Sequence, residues 1–575
     1  MSDVNMITRE KRKFLPEDFT VKNWAQLLPY FQDLLERKID NKANLMNWFI
    51  DRSELESILS EDLAWRYIKM SCDTENGEKR KSFEFFVNEI EPKVAPISND
   101  LNKKAVESPF LNEIDDSGYK IMIRNMVKQI EIFRDENIPL KTKLQTESQK
   151  FGQISGAMTI EIDGKELTLQ QAAVKLQSID RKLREEVYNK ISLRRLEDRE
   201  KLDDLFTLLV RLRDEIARNA DFANFRDYMF ASMGRFDYEP QDCFDFHESI
   251  RSEVVPLLNE QAADRKKNLS FATLKPWDKA VDILGRQALV PFTNSNELVE
   301  RTIACFDALD PFLGQCLRIM REMSHLDLES RKGKAPGGYN YPLAEIGVPF
   351  IFMNATSTLR DMVTIMHEGG HAVHSFLTRK LELGDFKNPP SEVAELASMS
   401  MELISMDHWN LFFQKKDDLK RAKIEHLEQI IETLPWVATI DKFQHWIYEN
   451  PTHNHDERRV VWNKIFQQFS DSITDWTGLE ENRNYLWQKQ LHLFEVPFYY
   501  IEYGMAQLGA IAVWKNYKEN HIKGLKGYMD ALKLGYTKTI PEVYAAANIK
   551  FDFSKTYISE LMAFVKEELH KLKAE

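Results

Sequence analysis

Apolar residues recur three and four positions apart over most of the chain. Leu55, Ile58, Leu59, Leu63, Tyr67 and Met70 form one such stripe, the spacing of a helix that buries one face against a neighbour. A charged, periodic run from about Ser192 to Phe222 predicts another long helix. Helices resume between Met406 and Asn484, with Pro435 expected to kink one of them and Asn450–His455 to form a loop. In Met158–Leu169 the period drops to two on either side of Asp163-Gly164, which predicts a β-hairpin. The apolar, β-prone run Val348–Asn354 predicts a strand, and Ala355–Thr358 offers a turn with capping hydroxyls. A helix is then expected from about Leu359, with Ile365, Met366, Val373, Phe376 and Leu377 on its apolar sides. Past the Pro389-Pro390 breaker, Ser391–Leu403 predicts a second helix. Long helices and sparse strands together predict a mainly α fold with a small β element. No internal repeat or low-complexity tract interrupts it.

Composition narrows the class. The 575 residues exceed one small core, so two lobes are expected, divided here as 1–191 and 192–575. A net charge of −13 argues against a nucleic-acid partner. Cys72, Cys243, Cys305 and Cys316 are scattered without metal-type spacing, and they read as reduced thiols of a cytoplasmic protein. The first 20 residues carry no apolar core of an export signal, which fits the same compartment. Val496–Trp514 is apolar enough to raise a membrane question. Pro497, Glu502, Gln507 and two glycines within it favour a buried or channel-lining segment, and no membrane partner is expected.

The candidate chemistry centres on His367-Glu368-Gly369-Gly370-His371. Residues four apart share a helix face, so both imidazoles can point at one metal ion while Glu368, one step round, reaches a water beside it. Each mid-helix glycine costs about 1 kcal/mol against alanine, which asks for close approach of another backbone or of substrate. A catalytic zinc usually has a third protein ligand. Glu392, Glu395 and Glu402 lie near one face of the next predicted helix, with Ser398 between them. Glu395 is taken as the ligand and Glu402 as the acceptor for a ligand histidine's other N–H, although surface carboxylates would give the same pattern. His453 and His455 sit in a polar loop without a carboxylate and read as a solvent-exposed pair. His374 is offset from the metal face and reads as structural.

The pattern His-Glu-x-Gly-His-x-x-His over His367–His374, with Val393–Ser398 placing Glu395 24 residues after His371, resembles the oligoendopeptidase F group, relatives of thimet oligopeptidase. The Asp-Gly hairpin with Ser178–Arg184 resembles that group's N-terminal domain, and Asp221–Tyr228 a loop in which glycine is more usual at the Asp221 position. What the resemblance implies is a two-lobed helical zinc endopeptidase that cuts short peptides inside a deep channel. It implies His367, His371 and Glu395 as ligands of one zinc ion per chain and Glu368 as general base. Gly369 departs from the group, where a bulky apolar residue is usual. The group also shares Gly-Lys-x-x-Gly at Gly333–Gly337, followed by the 349–354 strand, in a part of the fold that lines the channel. Gly337, Gly338, Asn354 and Ala355 are therefore expected to contact substrate, with the strand edge pairing to an extended peptide. A histidine followed by tyrosines makes His492, Tyr499 and Tyr503, in that order, the candidate donors to the oxyanion, with Tyr500 able to replace either tyrosine. Short peptides are the expected partners of a monomer or small homo-oligomer. A zinc carboxypeptidase and a non-catalytic peptide binder are the alternatives.

Overall fold

The computed structural model describes Ile7–Glu575 apart from Lys332 and Pro336. It is mainly helical, as the apolar period requires. Helix α1 (Lys42–Cys72) starts at Asn41, whose side chain accepts the Asn44 N–H, and buries Leu45, Trp48, Phe49, Leu55, Ile58 and Leu59. These residues belong to an N-terminal apolar cluster running from Leu15 to Met126, which Leu383 and Phe386 join from far along the chain.

Helices α2 (Asn137–Gly156) and α3 (Arg199–Asn219) already sit in a larger cluster that spans Ile132 to Leu569. Phe151 of α2, for example, stacks on Phe494 at 4.4 Å. The two larger apolar clusters part between Met126 and Ile132, and a smaller one of Ile160, Ile162, Ala172, Val187 and Ile191 stands before α3 in the chain. Strands β1 (Thr159–Ile162) and β2 (Lys165–Thr168) form the expected antiparallel hairpin. Its turn residues Asp163 and Gly164 have φ of 54° and 72°, the left-handed pair that a tight hairpin turn demands.

Two further helices, α4 (Pro240–Glu253) and α5 (Ser295–Leu309), lead to a three-stranded sheet of β3 (Leu326–Glu329), β4 (Tyr339–Tyr341) and β5 (Phe350–Ala355). Strand β5 is central, parallel to β3 and antiparallel to β4. The expected free edge is therefore not on β5, because both of its sides are paired; the outer edge beside the glycine-rich loop belongs to β4. The sheet is tied to α1 from outside. Ser71 Oγ lies 2.5 Å from the Tyr339 hydroxyl, Ala335 N–H donates to the Ser71 carbonyl, and Ala64 and Ile68 pack with Phe350 and Phe352.

From β5 the chain turns at Ser357 into α6 (Leu359–Thr378), followed by α7 (Ser391–Ile404), α8 (Lys416–Glu449) and α9 (Tyr500–Glu519). Helix α8 continues through Pro435. Helix α9, part of the apolar run that raised a membrane question, is buried against α7 and α8. Among the described residues no helix is long and apolar enough to cross a membrane. One expectation is corrected here: His453 is buried, not exposed, because its ring accepts the Arg458 Nε–H at 2.9 Å, while His455 stays at the surface.

Candidate active site

Helix α6 is fixed at its start. Thr358 and Asp361 cap it reciprocally, each side chain meeting the other's backbone N–H. The two glycines on α6 each have a neighbour that forbids a side chain. A Cβ on Gly370 would lie 2.6 Å from both the Ala397 carbonyl oxygen and the Ser398 Cα, so α6 and α7 cross in backbone contact there. A Cβ on Gly369 would lie 2.7 Å from the Phe306 ring, so α5 supplies aromatic bulk at the position where a larger residue is usual. The Gly370 crossing brings Glu395, one turn before Ser398, up to the histidine face.

His367 Nε2 and His371 Nε2 lie 3.2 and 3.5 Å from Glu395 Oε2, and the three ligand atoms fall within 4.8 Å of one another. Glu395 is held from behind, its Oε1 accepting the Tyr499 hydroxyl at 2.7 Å and its Oε2 the Ser398 hydroxyl at 2.9 Å. On the other side of His367, Nδ1 meets Glu402 Oε1 at 2.6 Å, and the second Glu402 oxygen is 3.7 Å from His426 Nε2. Glu402 is thus engaged with a candidate ligand, and Glu392 is no surface carboxylate either: it is buried and accepts the Tyr238 hydroxyl at 2.5 Å.

The electrostatics favour a cation. Burial alone would raise the Glu395 carboxyl, but the His371 and His367 imidazoles outweigh it and hold the group well below the usual carboxylate range. Burial opposes protonation of His367, yet Glu395 and Glu402 raise it well above the ordinary histidine value. Glu368 is buried and its carboxyl is lifted by desolvation, against the pull of His367 and His371. Among the described residues its carboxylate has no hydrogen-bond partner, while its backbone carbonyl accepts from Asn340. Three carboxylates around two imidazoles leave this face short of positive charge.

A second set of groups approaches from the segment before α9. Trp436 Nε1–H donates to Gln490 Oε1 at 3.0 Å, which fixes the amide so that its nitrogen meets His492 Nδ1 at 2.7 Å. His492 Nε2 then carries the proton of the neutral ring and stands 3.4 Å from the Tyr503 hydroxyl. Burial lowers His492 to about 4, so the ring is neutral at ordinary pH. Tyr499 and Tyr500 complete an aromatic group, their rings 6.1 and 4.8 Å from His492. Gln490 and Trp436 were not anticipated; Gln490, two residues before His492, was the one nearby signal. Lys489 and Glu495 reach the surface, yet the protein around them lowers the lysine to about 7 and raises the carboxyl to about 7.

The glycine-rich segment is held in place by its neighbours. Asn354 donates to the carbonyls of Ala335 and Gly337 at 2.8 and 2.9 Å, so its amide is spent on the loop. Gly338 lies against the Phe352 carbonyl, a Cβ there coming within 3.3 Å of it, whereas the space around Gly337 is open. Ala355 ends β5 in a half-buried position.

The model of peptidase family M3 matches residues 174–563, and that of the peptidase M3 N-terminal domain matches residues 14–133. The chain belongs to peptidase family M3. Within the family it is similar to an oligoendopeptidase F homolog of Lactococcus lactis subsp. lactis, at 23% identity over 58% of this chain and 57% of that protein. It thus spans little more than half of that relative's length. An oligoendopeptidase F homolog of Borreliella burgdorferi is matched more fully, at 23% identity over 82% of this chain and 81% of the other. The solved structure of PZ peptidase A with an inhibitor superimposes with a TM-score of 0.92 at 26% identity, covering 97% of this chain and 99% of that one. The mainly α, two-lobed architecture is that of the family's oligoendopeptidase F members.

Proposed function

We propose that this family M3 chain is a zinc-dependent oligoendopeptidase that hydrolyses internal bonds of short peptides in the cytoplasm, as a monomer or small homo-oligomer. The observation that carries the reading is the convergence of His367, His371 and Glu395 beside the unpartnered carboxylate of Glu368. Two imidazole nitrogens and one carboxylate oxygen are a donor set that zinc accepts while keeping a position open, and Glu402 orients His367 through its other nitrogen. A zinc ion held there would act as a Lewis acid that acidifies water and polarises the scissile carbonyl.

The chain's own groups supply the rest. Glu368 takes the proton of the attacking water and delivers it to the leaving amine. His492 Nε2–H and the Tyr503 hydroxyl donate to the oxygen on which charge develops, an effect worth about 3 kcal/mol per donor in other enzymes. Tyr499 and Ser398 instead hold Glu395. An extended peptide would run along the open edge of β4, past Gly337 and Gly338, where no side chain intrudes; Asn354 shapes that loop and Ala355 closes the end of β5.

A carboxypeptidase reading has one observation in its favour. Burial and the neighbouring Arg195, Lys279 and Arg360 lower Lys489 to about 7, so this solvent-facing group lies among cations that suit a free carboxylate. Turnover of an internally quenched peptide of about ten residues, with products identified by mass, decides between the two. Internal cuts that disappear with a chelator and with Glu368→Gln are expected. Single residues released from the C-terminus would favour the carboxypeptidase, and cleavage by Glu368→Gln at the wild-type rate would remove Glu368 from the mechanism.

A further inference from the structure

A second cluster lies between α4 and α8, two helices that pack against each other. Helix α4 carries Cys243 and His247, four apart, and α8 carries Asp441 and His445, also four apart, so each helix turns one such pair to the same contact. All four are sealed from solvent, with Cys243 and Asp441 at 0% exposure, His247 at 1% and His445 at 2%. The ligand atoms of Cys243, Asp441 and His445 lie within 4.8 Å of one another.

The hydrogen bonding inside this cluster is incomplete. His247 Nε2 meets Asp441 Oδ2 at 2.9 Å, a sound bond. His445 Nε2 stands 3.2 Å from the same oxygen but is not aligned to bond it. Both ring nitrogens of His445, Oδ1 of Asp441 and Nδ1 of His247 have no hydrogen-bond partner among the described residues. Buried polar atoms are rarely left so, and four in one place need an explanation. A nitrogen aimed past an oxygen at this separation is how two ligands of one ion stand, since tetrahedral zinc sets its ligand atoms about 3.3–3.7 Å apart.

The surroundings fit a cation as well. Phe244, Phe498 and Phe230 pack on the His445 ring at 4.8, 5.4 and 6.3 Å, and Phe469 lies 6.4 Å from His247. The four side chains are cut off from bulk solvent, so the carboxylate's charge must be balanced from within. A divalent ion with one thiolate, one carboxylate and a neutral imidazole makes a neutral unit, and this donor mix suits zinc over magnesium or calcium.

We propose that Cys243, Asp441 and His445 supply three of the four ligands of a second metal site, structural in character and of the zinc class, with His247 bracing Asp441 and an enclosed water completing the set. It would clamp α4 to α8 and seat the turn that precedes α9. Gln444, next to His445, accepts the Phe498 N–H at 2.7 Å, and Phe498, held at a φ of 65°, leads directly to Tyr499. The site is independent of the Glu368 chemistry and needs none of it.

The test is metal content of the full-length protein by mass spectrometry of the elements, together with the near-ultraviolet spectrum of the cobalt(II)-loaded form. The His367, His371 and Glu395 set contains no sulfur, so a thiolate-to-cobalt absorption that Cys243→Ala abolishes marks the second site and not the first or another of the free cysteines. Two equivalents per chain and that absorption are expected. His371→Ala should drop the content to one and keep the absorption; Cys243→Ala should drop it to one and abolish the absorption. A single equivalent in the wild type, lost entirely in His371→Ala, overturns the proposal, as does cobalt protein without a sulfur ligand. The His371→Ala result is decisive even if Cys243→Ala fails to fold.

Discussion

The two clusters share imidazoles and a carboxylate, differ in the Cys243 thiol, and are enclosed differently. In each, a histidine Nε2 lies 3.2 Å from a carboxylate oxygen, and that carboxylate is braced by a further donor: Tyr499 and Ser398 for Glu395, His247 for Asp441. The difference is access. The His367 and His371 side chains keep 19% and 18% of their surface exposed, whereas those of His247 and His445 keep 1% and 2%. Beside the first cluster, and not among its ligands, stands Glu368, whose carboxylate has no hydrogen-bond partner among the described residues. Where the second is packed with phenylalanine rings, the first has His492 and the tyrosines around it, which carry polar hydrogens. Enclosure and a spare base, beyond the difference of one thiol, separate a site that can turn over from one that can only hold.

That contrast can be broken by experiment. Glu368→Gln should lower kcat by about 10²–10⁴-fold in the quenched-peptide assay while metal content stays at the wild-type value, because the base is not a ligand. Equal losses of activity and metal would show that Glu368 sits in the coordination shell. Tyr503→Phe should lower kcat by about 10²–10³-fold, again without loss of metal, since its hydroxyl faces His492 and not a ligand. Glu402→Gln should weaken metal binding at the open cluster by about 10–100-fold, measured by competition with a chromophoric chelator, because the bond to His367 Nδ1 loses its charge. The sealed cluster should not respond. Gly370→Ala should cost about 1–3 kcal/mol in urea unfolding, since its Cβ would collide with the α7 backbone. Gly369→Ala meets side-chain atoms of the Phe306 ring and no backbone, and should cost less.

Much of the open cluster was legible because its spacing is local. His367, Glu368 and His371 occupy one helical turn, and the acidic row on the next helix contained both Glu395 and Glu402. The reason for Gly370 was half legible: a close approach was called for, but not by which backbone. The central place of β5 was not, since strand order depends on pairings that no periodicity encodes, and this moved the free edge to β4. Tyr499 was expected to face the oxyanion, yet its hydroxyl goes to Glu395, a choice set by how α9 leans on α7. His453 looked exposed in its polar loop until Arg458 covered it. The sealed cluster escaped because Cys243 and Asp441 are 198 positions apart, and neither helix alone has a full ligand set.

The sheet joins two parts of the molecule that are far apart in sequence. Strand β4 is fastened to the end of α1 through Tyr339 and Ser71, and β5 runs directly into α6. While the β4–β5 ladder is intact, α1 and the histidine helix are joined through it, so an opening that admits a peptide is expected to hinge outside this sheet. Backbone amides of Tyr339, Tyr341 and Phe352 should then be among the slowest to exchange with deuterium, and should stay slow while peptide is being turned over.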